Sequence, residues 1–202
     1  MLVSNFELLV SRLAPGPATP LNRKVVQGYF LSITNLDPAE PLNLNFTVVS
    51  SKFNGTDIDR DFLPATNALV IFDGPNNDNK VLTLVATNPV GAAISSFRST
   101  DMPAIAPLQT ALVTILPNIG LAFNSATKME IRGHVRLYQP PNPDGSPSTP
   151  KTVMLSAECR GTFLDNNFGR TVPVSSYDFD QIAYALPLAS GKAENVVETL
   201  IL

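Results

Sequence analysis

The chain holds one histidine, His134, and one cysteine, Cys159. A thiol beside an imidazole is the usual make-up of an activated nucleophile. Whether these two meet depends on how two segments pair, 129–138 and 152–163. Both alternate apolar and polar residues with period two, the pattern of a half-buried strand. Paired as an antiparallel hairpin so that partner numbers sum to 290, they set Arg132 opposite Glu158 and Glu130 opposite Arg160. Shifting the sum to 288 opposes Glu130 to Glu158, and shifting it to 292 opposes Arg132 to Arg160. Each shift trades a favourable pair for a like-charge one, at about 0.2–1 kcal/mol per pair. A one-residue slip flips every side chain to the other face. In the favoured register Ile131, Gly133, Val135, Leu137, Val153, Leu155, Ala157 and Cys159 face inward. His134 faces outward, so the expectation is no Cys–His pair and a buried, inert Cys159.

Other constellations point to weaker chemistry. Arg132, His134 and Arg136 alternate on one strand face. They form a cationic strip that suits an anion or acidic ligand, unless Glu130 and Glu158 neutralise it. A serine hydrolase would have only His134 as base, and its arginine neighbours would depress its pKa; no Gly-x-Ser-x-Gly elbow occurs. Asp57, Asp59 and Asp61 have the spacing that opens a calcium loop. The sixth position is then Phe62 rather than Gly and the twelfth Ala68 rather than Glu, which excludes an EF-hand. A looser calcium site on this loop is the one metal reading the sequence offers. Asp73, Asp78 and Asn79 make a second oxygen-rich loop, though Asp-Gly-Pro-Asn is turn chemistry first. Asp178 and Asp180 share a strand face and have the makings of a glycosidase pair, but the chain has no Trp to stack on a sugar. No zinc spacing, P-loop or dinucleotide fingerprint is present.

The elements that must carry these residues read as strands. Segments 25–35, 44–53, 110–116 and 171–176 alternate or are rich in β-formers, and 92–98 is weaker. Segments 67–72 and 80–87 suit a hairpin around residues 73–79. Asp37-Pro38, Glu40-Pro41 and Asn54-Gly55 mark turns. Segment 2–13 is apolar with a spacing that fits strand or helix, 181–188 is a short strand cut by Pro187, and 195–202 reads as a last strand. No 3.6-residue period is sustained, so no crossover helices are available for a parallel sheet. The expectation is an all-β chain: one antiparallel β-sandwich of Ig-like or jelly-roll type over residues 1–202, with about nine or ten strands.

Composition narrows the function. Hydrophobic residues make up 44%, enough for a core, while charged residues are only 15%, against a usual ~25%. A surface poor in long charged side chains suits contact with another protein or with a second copy. The net charge is −3 with no basic run, which argues against a nucleic-acid surface. No stretch approaches the ~20 apolar residues of a spanning helix. The start of the chain lacks a signal-peptide pattern, so the cytoplasm is the default location and an extracellular one requires a removed leader. Residues 139–151 carry five prolines and form a stiff excursion able to act as a contact arm. The sequence thus points to a non-enzymatic structural or interaction protein that self-associates. A calcium- or carbohydrate-binding module using the acidic loops is the alternative.

Overall fold

The computed structural model describes residues 1–12, 23–51, 60–76, 79–87, 94–99, 101–118, 128–164 and 181–199. Within them the chain forms strands and no helix, and every strand pairing is antiparallel. The strands are β1 (Leu2–Arg12), β2 (Lys24–Asn35), β3 (Asn45–Ser51), β4 (Ala68–Asp73), β5 (Asn79–Val81) and β6 (Leu84–Ala86). They continue with β7 (Ile94–Ser99), β8 (Thr110–Pro117), β9 (Met129–Tyr138), β10 (Lys151–Leu164), β11 (Gln181–Ala185) and β12 (Glu194–Val197). No helix in the described residues is long and apolar enough to cross a membrane.

The sheet runs β5-β4-β8-β2-β1-β9-β3-β7-β6 and curls into a half-barrel. β2 is its hinge line. Along one edge β2 pairs with β10 over its whole length. Along the other it is shared: residues 24–27 pair with β1 and residues 29–34 with β8. Beyond Leu9 and Gln27 the two halves diverge, and the apolar faces close on one another. Phe6 of β1 lies 6.1 Å from Tyr29 of β2, and Phe62 lies 6.4 Å from Phe6. Leu8, Leu31, Ile33, Phe46, Val113, Ile131 and Leu137 share this core at essentially zero exposure. The Tyr29 hydroxyl, buried with them, meets Ser4 Oγ at 2.7 Å, which satisfies both polar groups.

The strand-or-helix ambiguity of the first segment has a local cause. The β1–β9 register shifts between Leu2 and Ser4. This bulge inserts one residue, so Val3 and Ser4 are both buried ahead of Phe6, Leu8 and Val10. The doubled position breaks the period of two, and the apolar members Val3, Phe6 and Val10 fall at spacings that one side of a helix also shows.

The expected hairpin of 129–138 with 152–163 does not form. β9 lies between β1 and β3, and β10 between β2 on one edge and β11 and β12 on the other. Comparing registers within one assumed pair ranks the shifts of that pair, but says nothing about better partners elsewhere. Of the residues read as inward, Ile131, Val135, Leu137, Val153, Leu155, Ala157 and Cys159 are buried and Gly133 is half-buried. The charge partners were not. Arg132 sits opposite Glu7 in the ladder and bonds it at 2.8 Å, and it also reaches Glu130 on its own strand at 2.7 Å. Arg160 pairs with Glu158, two residues away on the same strand.

The hairpin expected around residues 73–79 forms as β4 with β5, Asp73 opposite Asn79. It ends early, because β6 leaves to pair with β7. Asp101 holds the junction, accepting from Thr83 N at 2.9 Å and pairing with Lys80 Nζ at 3.2 Å. The proline-rich segment 139–151 is bonded down at its base. Gln139, buried, donates to Thr149 O and Val197 O at 2.9 and 2.7 Å. Ser148 Oγ donates to Pro140 O at 2.6 Å. At the far end Lys151 Nζ bridges Asp37 and Glu40 at 2.6 and 2.5 Å, in the turn marked by Pro38 and Pro41. Residues 141–145 at the tip are exposed, as are Pro147, Thr149 and Pro150.

Candidate functional site

Two clefts collect the chemistry-bearing residues. The first has a volume of about 640 Å³ and lies where the β1–β9 half parts from β10 and β11. Its lining includes Glu7, Arg132, His134, Cys159 and Tyr184. His134 and Cys159 therefore open onto one cleft, although neither their strands nor the residues themselves are paired. The expectation that opposite faces would separate them rested on the hairpin that does not form.

Sharing a cleft does not make them a nucleophile and base. The Cys159 thiol is 1% exposed. Burial raises its pKa, against hydrogen bonds to Tyr184 and to the Glu7 backbone that lower it. Cys159 and Tyr184 are direct ladder partners, so the phenol covers the thiol. Burial, and then the positive charge of Arg136, lower the pKa of His134. Its Nε2 is shielded from solvent and has no hydrogen-bond partner. A thiol held protonated and an imidazole held neutral, with no hydrogen bond between them, lack the activation that covalent catalysis needs. Arg132, the most cationic group at the rim, is taken up by Glu7 and Glu130.

The second cleft is a groove of about 400 Å³ on the outer face of β9, β3 and β7. Thr47 is its floor and lies directly opposite both Arg136 of β9 and Arg98 of β7. The two arginines thus flank one buried threonine in a single row across three strands. Tyr138, Ser96 and Thr87 add hydroxyls to the lining. Thr47 Oγ1 donates to Tyr138 OH at 3.4 Å, and the Thr87 and Ser96 hydroxyls are 2.8 Å apart. Among the described residues no carboxylate lines the groove. Of the strip read from the sequence, Arg136 belongs here, Arg132 belongs to the first cleft, and His134 lines only the first. Arg98 was not singled out, because nothing local to residues 92–98 shows that β7 will lie across β3 from β9.

A third concavity, about 440 Å³, is lined by Phe30, Arg160, Gly161 and Ile182 among others. Its one arginine is occupied, stacked 4.5 Å over the Phe30 ring and paired with Glu158.

The acidic loops are only partly in view. Asp57, Asp59, Asp78, Asp178 and Asp180 lie outside the described residues, as does the strand expected at 171–176. The Asp61 backbone carbonyl accepts from Asn67 Nδ2 at 2.7 Å. Asp73 ends β4, with Oδ1 buried and without a hydrogen-bond partner. Among the described residues no three His, Cys, Asp or Glu side chains converge to hold a metal ion.

No protein-family model matches the sequence, and no curated protein matches it significantly.

Proposed function

We propose that this chain is a non-enzymatic interaction protein that self-associates by pairing β11 with β11 of a second copy. One observation carries the reading: among the described residues β11 is an open sheet edge. Among the described residues it pairs only with β10, and all five of its residues are exposed. Ile182 and Tyr184 stand 40% and 43% exposed on one face. Sheet edges invite pairing with other chains, and folded proteins blunt them with short strands, charges or proline. The edges at β5 and β6 are blunted in this way: each is three residues long, and β5 carries Lys80. β11, Gln-Ile-Ala-Tyr-Ala, has no charge and no proline.

A second copy fits this edge better than an arbitrary strand. Antiparallel pairing about a two-fold axis at Ala183 sets each Ile182 opposite the other copy's Tyr184, on one face. Aromatic with β-branched is among the favourable cross-strand pairs, and a two-fold axis produces it twice. The chain's low content of charged residues, 15%, is in keeping with a surface that is desolvated on assembly. Within this reading the curled sheet works as a rigid β-sandwich scaffold, jelly-roll or Ig-like, supported by the Phe6–Tyr29 packing of one half against the other.

Sedimentation velocity across a concentration series tests the proposal. Wild type is expected to dimerise, and Ile182→Lys with Ala185→Lys to stay monomeric with an unchanged circular dichroism spectrum. A wild type that is monomeric at high concentration, or a dimer unaffected by the two lysines, overturns it.

A further inference from the structure

We infer that the groove between Arg98 and Arg136 is a binding site for a tetrahedral oxyanion, phosphate or sulfate, free or as the terminal ester of a small ligand. The inference is independent of the β11 edge. It begins from an imbalance. Acidic residues outnumber basic ones in this chain, 17 against 14. The other cations with a described ion pair each have a carboxylate at hand: Arg132 has Glu7 and Glu130, Arg160 has Glu158, Lys80 has Asp101, and Lys151 has Asp37 and Glu40. Arg98 and Arg136 line one groove, and among the described residues no acid lines it with them. Neither forms an ion pair among the described residues.

Their placement is set by the ladder. Both are direct partners of Thr47, so their backbones stand two strand spacings apart, about 10 Å. Both stand on the face of Thr47 and line the same groove, where their like charges repel unless an anion lies between them. A guanidinium presents a planar fork of donors that matches the oxygens of phosphate and sulfate. Two guanidinium groups lining one groove suit an ion with several oxygens better than a single carboxylate. The hydroxyls of Thr47, Tyr138, Ser96 and Thr87 provide further hydrogen-bonding groups around the groove. Thr47 is 6% exposed, so the floor is a recess and not an open face.

The local field has the right sign. After burial, the charge of Arg136 is the next cause lowering the pKa of His134. It does the same to the Met1 amine, which Glu198 opposes. Burial and that charge keep His134 in its neutral form at neutral pH.

The test is a titration of the full chain with inorganic phosphate and with sulfate, against chloride at constant ionic strength, followed by amide NMR shifts and melting temperature. Saturable shifts centred on Thr47, Ser96 and Tyr138 are expected. Arg98→Gln and Arg136→Gln should each weaken binding by about tenfold or more, the loss of one charge-assisted contact. Arg132→Gln, at the other cleft, should bind like wild type. O-phosphoserine and a sulfated monosaccharide, run beside the free ions, separate ester ligands from the free oxyanion, and the two esters separate phosphate from sulfate. Absence of saturation in wild type overturns the site. So does binding that survives in both Arg98→Gln and Arg136→Gln, with folding checked by circular dichroism.

Discussion

Replacing Gly133 by alanine should be among the most damaging single-methyl additions to this protein, and the damage should come from sterics alone. Gly133 lies in the middle of β9 with a strand on either side. An added Cβ would fall 2.2 Å from the Val49 carbonyl oxygen and 2.7 and 2.8 Å from Cε1 and Cζ of Phe6. The carbonyl belongs to β3, whose Ser50 is the ladder partner of Gly133, so it yields only if β3 moves off β9. The Phe6 ring has no slack either, because it is packed between Tyr29 and Phe62 at 6.1 and 6.4 Å. Overpacking of this kind costs about 1–3 kcal/mol and more where backbone must move. The entropy gained by replacing glycine offsets about 0.4–1 kcal/mol. A net loss of about 2 kcal/mol lowers the melting temperature by about 4–8 °C in a chain of this size. Gly161→Ala is the internal control. Its nearest obstacle is the Ile182 side chain at 3.2 Å, 40% exposed in the single chain, so measured on the monomer the change should be under about 1 kcal/mol. Thermal and urea unfolding of both variants decide the matter. A Gly133→Ala protein melting within about 2 °C of wild type, or a Gly161→Ala protein harmed as much, would refute the packing described.

Two further outcomes follow from named groups. The Lys151 ammonium and the Ala39 and Glu40 amides hold the Asp37 carboxyl down at about 2, below its unfolded value. A depressed acid stabilises the fold above the unfolded pKa and loses that contribution as pH falls toward the folded one. The stability gap between wild type and Lys151→Met should therefore be present at pH 5–7 and shrink on acidification from about pH 4 toward 2; a gap independent of pH would contradict the pairing. Cys159, buried behind Tyr184 with a raised pKa, should react with a thiol reagent at pH 8 far more slowly in the native protein than in urea. Tyr184→Ala should speed the native reaction, and equal native rates in the two proteins would show that the phenol does not cover the thiol.

The fold class was legible because strand character is written locally. Alternation in residues 129–138 and 152–163 marked which side chains face inward, and burial of Ile131, Val135, Leu155 and Cys159 follows it. The turn at Asp37 was equally local: its Oδ1 accepts from Ala39 N and Glu40 N at 2.9 Å. The β1 bulge was not legible as strand, because one inserted residue erases the period on which such reading depends.

What the sequence alone determined, then, is the direction in which each side chain points relative to its own strand, since a period of two needs no partner to be seen. Which strands lie side by side was decided by the tertiary structure. Glu158 and Glu7 are equally suitable partners for Arg132 by charge, and pairwise energies of about 0.2–1 kcal/mol cannot choose between them. Burial of Phe6, Tyr29 and Phe62 in one core outweighs such terms, and it brings β1 in beside β9. That choice placed His134 and Cys159 on one cleft without joining them, and set Arg98 and Arg136 on either side of Thr47.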